Sequence, residues 1–458
     1  MDEAGDVAGA IRHTGERDAD SDALFPHEGA FYLALFFLIG VALSGFGAGG
    51  RMIFLLAGGV FVFLMAYARA TNPPRYSKIA FFSLAIGVGA LYYHLYNAYT
   101  APDLIFSNGG ALAAIVTSEP KRFDSSQEFT ASLVSPSRGS VRVVASPYPT
   151  REYGDEIEII GEDIEIAESG EVTALFPDIR LIGKGRGSAT KGALLAVRRR
   201  SIEAIRNTLP PSSAAMLSGM LFGDATGFTK EFRAAMRETG TTHLVALSGY
   251  NLMIIASAVS FFFAWFVSRR KGFWITLALV GAFVAMTGGE ASVVRAAIMS
   301  AIFLIGEMLG RAHSLTNALA LAAGLMALAN PRLPAHDLGF ELSFLAFAGI
   351  AFLEPWLRKL FRISDESGFL NTKRIAITAL SAQAATAPLL LARTGSASWY
   401  AVIPNTLIAL ATPAIMLLGF ITIGVGFVSS PAASVVGWAA HYLVSYEIGV
   451  ITFFARAL

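Results

Sequence analysis

Cysteine is absent from this 458-residue chain. That removes disulfides, thiolate nucleophiles, Cys-ligated zinc and thiolate-held iron–sulfur clusters together. Charge is scarce: 15% of residues are charged, while a soluble globular chain carries roughly a quarter. An ordinary cytosolic protein is thereby excluded. Disorder is excluded for most of the length, because 54% of residues are hydrophobic. A basic start before a short apolar stretch is also lacking, so no cleaved signal peptide is expected. Phosphate-loop and paired His–Glu zinc patterns are missing, and the seven histidines are scattered. No catalytic residue, metal or cofactor is assigned. What is plentiful is Phe, with 34, and Gly, with 44, and both suit membrane helices.

Residues 1–29 carry eight acids and two arginines and read as a disordered acidic tail. A helix needs about 20 apolar residues to cross a bilayer core. Three stretches in 30–102 qualify, near 30–46, 52–70 and 78–100, the last with Tyr92, Tyr93, Tyr96 and Tyr99 at its far end. Residues 103–187 alternate apolar and polar in short runs: Leu112–Ser118, Glu128–Val134, Val141–Ala145, Glu156–Ile160 and Ile179–Ile182. Pro and Gly signals separate these runs, which predicts a small all-β domain of OB-like size. Residues 188–240 read as basic linker helices: Ala193–Leu209, a short apolar piece Ser213–Phe222, and a polar Thr229–Glu238. From 241 to 458 the chain is nearly all membrane helix, with spans near 242–267, 273–288, 292–310, 314–329, 339–357, 375–393, 399–428 and 432–456. Pro404 and Pro413 leave two readings of 399–428, a kinked helix or two half-helices. The fold class predicted is a polytopic α-helical membrane protein of about 10–11 transmembrane helices with an inserted small OB-like domain.

Basic residues orient it. With 69–78 inside, the loops 268–272, 310–313 and 358–374 also fall inside and hold nine Lys and Arg, against Arg332 and Arg393 opposite. This places the N-terminus in the cytoplasm and the β domain outside it.

Polar groups within membrane helices are costly and need a reason. The densest set is Thr241 to Asn251. His243 and Ser248 are about 140° apart on a helix, so one helix does not pair them directly. Ser248 and Asn251 share a face. Helix–helix glue and pathway lining are both open readings, with catalysis behind them. Arg295 lies one turn into its span. It either snorkels to the interface or faces inward, meeting an anionic substrate or pairing with Glu341. Asp337 reads as a helix N-cap. A metal site from His336, Asp337 and Glu341 has only weak support from spacing. Gln383, Thr386, Pro388 and Pro404-Asn405 put polar groups and helix breaks in two consecutive spans, as a substrate site or as ordinary kinks.

The stretches Met220–Asp224, Phe232-Arg233 and Thr239–Gly249 resemble the signature of the ComEC family of competence proteins. The resemblance continues at Ser292–Met299, Asn317–Ala320, Asn330-Pro331, Gly339–Ala346, Gln383, Pro388-Leu389 and Pro404-Asn405. It implies an inner-membrane channel that carries single-stranded DNA into the cytoplasm during natural transformation. It implies pathway or gating positions at Asp224, His243, Ser248, Arg295 and Glu341, and Asn251, Gln383 and Asn405 are further candidates for that path. Many members have His two residues after the Ser-Gly pair, where this chain has Asn251. Many also end in a metallo-β-lactamase-like domain. This chain is expected to be a short form without it, and no nuclease activity is assigned. Implied partners are single-stranded DNA, membrane lipids, a DNA-receptor protein and a cytoplasmic ATPase or helicase. Two other readings are a transporter or flippase for another anionic lipid or glycan, and an intramembrane hydrolase using His243 and Ser248.

Charge bears on the DNA reading. The net charge is −6 in 1–29, +4 in 30–102, −6 in 103–187, +4 in 188–240 and +5 in 241–458. An acidic β domain argues against tight nonspecific DNA binding over its whole surface. Arg198, Arg199, Arg200, Arg206, Lys230, Arg233 and Arg237 in the linker are the better phosphate contacts. An amphipathic surface on anionic lipid is the competing reading of the same cluster.

Overall fold

The computed structural model describes residues 26–457 apart from 48, 72–73, 106–110, 124, 161–163, 167–171, 246–250, 253, 258–259, 261–264, 309–314, 363–371 and 396–397. Most of the expected acidic tail and all of Ser248 to Tyr250 lie outside the described residues. Two compact units are present: residues 1–95 with 313–335, and 96–312 with 336–458.

In the first unit, α1 spans Pro26–Gly45, α2 Gly50–Thr71 and α3 Pro74–Thr100. Glycine sets how closely α1 and α3 approach. A methyl on Gly40 would overlap the Ile86 carbonyl oxygen, and one on Gly89 would overlap that of Phe37. Small residues at a crossing let backbones touch where no hydrophobic effect drives association. His94 Nε2 accepts from the Gly50 amide at 2.9 Å and ties the α1–α2 turn to α3. The tyrosines expected at a membrane interface divide. Tyr99 is exposed, Tyr93 is buried, and the Tyr92 hydroxyl donates to the Leu328 carbonyl at 2.5 Å.

The second unit opens with the β domain. Its strands are β1 Ala111–Val116, β2 Lys121–Arg122, β3 Gln127–Leu133, β4 Ser140–Ala145, β5 Glu156–Ile160, β6 Ile164–Ile166, β7 Val172–Leu175 and β8 Asp178–Gly183. They form one sheet in the order β6-β7-β4-β3-β1-β5-β8, with β2 on β3. Every pairing is antiparallel except β4 with β7, which is parallel. The alternation read in the sequence is the burial pattern. Phe129, Ala131 and Leu133 of β3 meet Val141, Val143, Ala145, Ile157 and Ile159 in the core. Gln127 shares that inward face and is fully bonded. Its amide donates to the Ser146 and Pro149 carbonyls at 2.7 and 2.9 Å, and its oxygen accepts from the Arg151 amide at 3.1 Å.

The remaining helices of this unit are α4 Ala189–Thr208, α5 Pro211–Phe222, α6 Lys230–Glu238, α7 Arg269–Thr287 and α8 Ala291–Met308. After α9, Leu315–Ala329, which belongs to the first unit, come α10 Leu338–Ala348, α11 Glu354–Leu360, α12 Thr372–Thr394, α13 Val402–Gly426 and α14 Ser430–Ala457. Pro210 precedes α5 and Pro211 occupies its first turn, where the missing N–H costs nothing. Thr229 caps α6 and Asp337 caps α10, accepting from the Phe340 amide at 2.6 Å. Among the described residues, six helices are long and apolar enough to cross a membrane: Gly50–Arg69, Ile79–Thr100, Arg269–Thr287, Leu338–Leu360, Thr372–Thr394 and Val402–Gly426. This is the helical architecture of a multi-pass membrane protein. Phe31–Gly45, Ala291–Gly306 and Thr316–Ala329 are shorter apolar helices. The last helix is long enough to cross but is not one of the six.

Two expectations are corrected here. The stretch after 241 does not open as a regular span: residues 242–244 form one 3-10 turn, and helix is described at 251–252, 254–257 and 260. The stretch 399–428 is a 3-10 turn, Trp399–Ala401, running into one continuous helix with Pro413 inside it, so the half-helix reading fails.

Candidate functional site

The basic segment is the outer part of the candidate site, and the fold divides its seven cations. Three are engaged internally. Arg198 pairs with Glu119 of the β domain and donates to the Phe222 carbonyl at 3.1 Å. Arg206 pairs with Asp224 at 3.1 Å. Arg233 donates to the Phe228 carbonyl at 3.0 Å and stacks on the Phe123 ring at 5.4 Å. The Arg198–Glu119 pair and the Arg233–Phe123 stack dock the β domain on α4 and α6. Lys191 adds a bond to the Thr117 carbonyl at 2.7 Å, and the Ser188 amide donates to the Tyr153 hydroxyl at 2.9 Å. The other four, Arg199, Arg200, Lys230 and Arg237, are exposed and make no ion pair among the described residues. Spacing accounts for part of this. Leu195, Ile202 and Ile205 define the buried side of α4, and Arg199 and Arg200 fall away from it. On α6, Glu231 accepts from its own amide and from Thr229, which holds its carboxyl below the usual carboxylate range.

Asp224 is not a free carboxylate. One oxygen receives Arg206, and the other accepts from the Thr226 amide and hydroxyl at 3.2 and 2.6 Å. It organises the turn between α5 and α6. The His243 ring donates from Nδ1 to the Gly240 carbonyl at 3.1 Å. The Asn251 amide donates to the Met220 carbonyl at 3.1 Å, so Asn251 is buried against α5.

Inside the helical part, buried polar atoms without a partner include ones on α8, α10, α12 and α13 and at Ser398. Arg295 of α8 is 9% exposed and lies over the Phe344 ring of α10 at 5.7 Å, with Nε unbonded. That burial favours the inward-facing reading over snorkelling. The expected Arg295–Glu341 pair is absent among the described residues: Glu341 bonds Arg393 of α12 at 3.0 Å, leaving its second oxygen buried without a partner. The reason is tertiary, because α12 brings Arg393 to the face of α10 that carries Glu341.

Gln383 of α12 donates to the Ser398 carbonyl, which places Ser398 against α12. Gln383 Oε1, Ser398 Oγ and Asn405 Oδ1 are all buried and unbonded. Beside them the helix between α10 and α11 widens into a π turn, Gly349–Leu353. A methyl at Gly349 would come within 2.5 Å of the Ser381 carbonyl oxygen, so the turn lies directly on α12. Buried polar atoms with no protein partner call for water or a ligand. Among the described residues no cluster of His, Asp and Glu suits a metal, and His336, Asp337 and Glu341 do not converge as one.

One residue was missed in the sequence. Glu447 of α14 is wholly buried, with Thr412 of α13 as its bonded neighbour. Its signal was its position: Ala433, Gly437, Ala440, Val444, Glu447 and Ile451 recur at three and four residues.

Residues 220–458, more than half of the chain, match the family described as Competence protein. A stretch of 155 residues is 28% identical to ComE operon protein 3 of Bacillus subtilis (strain 168), covering 34% of this chain and 20% of that protein. The match thus spans about one fifth of the relative's length. No solved structure matches. With α6 to α14 inside the family match, the chain belongs to the competence protein family.

Proposed function

We propose that this protein acts in DNA uptake as a channel for a single DNA strand crossing the cytoplasmic membrane, and not as an enzyme. The observation that carries the reading is the division of the basic segment. Four cations stay exposed and outside any ion pair among the described residues on α4 and α6, beside helices that are apolar enough to span a bilayer. A polyanion is the partner for such a set, because each phosphate neutralised releases condensed counterions. Family membership narrows that polyanion to DNA.

In this reading the strand meets Arg199, Arg200, Lys230 and Arg237 first. Arg198, Arg206 and Arg233 hold the platform that presents them. The route then follows the unsatisfied polar groups Arg295, Gln383, Ser398 and Asn405, where irregular backbone and polar atoms are tolerated because they line a wet cavity. Glu341, His243 and Asn251 border it, and Ser248 is assigned to it from the sequence alone. The β domain is OB-like, and the reading draws support from the parallel β4–β7 pair that extends the β1-β3-β4 meander. Lys and Arg in the short loops support a cytoplasmic N-terminus and a β domain outside the cytoplasm. A DNA-receptor protein outside and an ATPase or helicase inside are the partners such a channel requires.

The test is purified protein in liposomes, offered labelled single-stranded DNA and a labelled anionic lipid in competition. The reading expects DNA to enter the lumen, with entry reduced at least tenfold by Arg199→Glu with Arg200→Glu. Movement of lipid between leaflets without DNA entry would make the protein a flippase. Full function in Ser248→Ala would eliminate the hydrolase reading.

A further inference from the structure

The buried face of α14 consists of Ala433, Gly437, Ala440, Val444, Glu447 and Ile451. Five of these are small or apolar, and the sixth is a carboxyl with 0% exposure. Glu447 Oε1 lies 2.9 Å from the Thr412 hydroxyl, and Oε2 is buried with no partner.

No charge compensates it among the described residues. The helices packed against α14 are α13, α4, α5 and α6. Neither α13 nor α5 contains an ionisable residue. On α4, Lys191, Arg198 and Arg206 are bonded to Thr117, Glu119 and Asp224, while Arg199, Arg200 and Glu203 are exposed. On α6, Arg233 is bound to backbone carbonyls, and Lys230, Glu231, Arg237 and Glu238 are exposed. On α14 itself, His441 lies on Ser213 at 2.7 Å and Ser445 at 3.3 Å, and Tyr446 donates to the Leu407 carbonyl. Tyr442 and Arg456 are exposed.

Hydrogen counting gives this carboxyl a chemistry. Thr412 Oγ1 lies 2.9 Å from Glu447 Oε1 and 3.0 Å from the Ile408 carbonyl oxygen. A hydroxyl has one proton to donate. Both bonds form only when Glu447 carries a proton and donates it to Thr412, whose own proton then turns to Ile408. Once Glu447 is ionised, that proton must turn to the carboxylate, and the charge remains buried without a counter-charge. The next residue, Pro413, has no N–H, so the Ala409 carbonyl loses its helical donor one turn from Thr412. The helix is therefore most easily rearranged where the acid meets it.

We propose that Glu447 and Thr412 form a proton-exchange site in the helical core. Glu447 releases its acid proton to water and becomes a carboxylate, and the Thr412 hydroxyl swings from Ile408 to that carboxylate. Proton uptake reverses both movements, and no other bond changes. The site rests on these contacts and is independent of the DNA reading. Infrared difference spectra of the purified full chain in lipid test it across a pH series. The expected result is a carboxylic-acid carbonyl band that fades reversibly as pH rises, is lost in Glu447→Gln, and shifts in frequency in Thr412→Val. Three results would overturn the site: no such band, an unchanged band in Glu447→Gln, or a band that never titrates. A band removed by sodium at constant pH would show a metal-cation site and would also overturn it.

Discussion

Arg198 and Arg199 are adjacent in sequence and do opposite work. Arg198 is held by Glu119 and the Phe222 carbonyl, while Arg199 projects freely. Charge reversal therefore separates structure from binding. Arg198→Glu removes a partly buried pair and leaves Glu119 beside a like charge, costing about 1–3 kcal/mol of stability. Thermal unfolding of the purified protein measures that loss. Arg199→Glu with Arg200→Glu leaves the unfolding temperature unchanged and weakens single-strand binding. The salt slope of log K falls by about 0.7 for each phosphate contact removed. An unchanged slope would take these two residues out of the interface. The sequence showed all seven cations and could not sort them, because the sorting depends on Glu119, Asp224 and Phe123, which are distant along the chain. The Glu341–Arg393 pair was hidden for the same reason, 52 residues apart and on different helices.

Elements are where local pattern and observed structure coincide best. Period-two alternation located β1, β3, β4 and β5 to within two residues at either end, because a half-buried strand writes its two faces directly into the chain, and it placed β8 as closely although neither face of β8 is buried. β2 and β6 hold two and three residues, too few for a period to register. β7 is a four-residue strand, and its parallel place beside β4 has no local signal. Glycine in α1 and α3 was read only as composition. The structure gives Gly40 and Gly89 a steric task, since each faces a carbonyl oxygen of the other helix. Gly40→Ala or Gly89→Ala forces the helices apart and destabilises the first unit by about 1–3 kcal/mol. Gly281→Ala, mid-helix in α7 with open space around its position, serves as the control and leaves stability unchanged or raises it by up to about 1 kcal/mol. Unfolding temperatures of the three variants check this, and equal values would remove the close crossing.

At the scale of the whole molecule, the near-zero net charge conceals an acidic β domain and a basic platform that are joined by specific bonds. The absence of cysteine makes the proposed orientation directly measurable. A single cysteine at Tyr148, which is 79% exposed on the β domain, is expected to react with a membrane-impermeant maleimide added outside intact cells. One at Arg270, at the start of α7, is expected to react only after the cells are opened. The reverse pattern would invert the orientation and move the exposed cations of the linker to the cytoplasmic side. The central claim is that this chain carries a DNA strand across the membrane. Its most direct measurement is nuclease-protected labelled DNA in cells lacking the gene, complemented with the intact chain or with the Arg199→Glu, Arg200→Glu variant. The account predicts loss of protected DNA on deletion, recovery with the intact chain, and at least a tenfold deficit with the variant at equal membrane abundance. Protected DNA at the undeleted level in the deletion strain would contradict it.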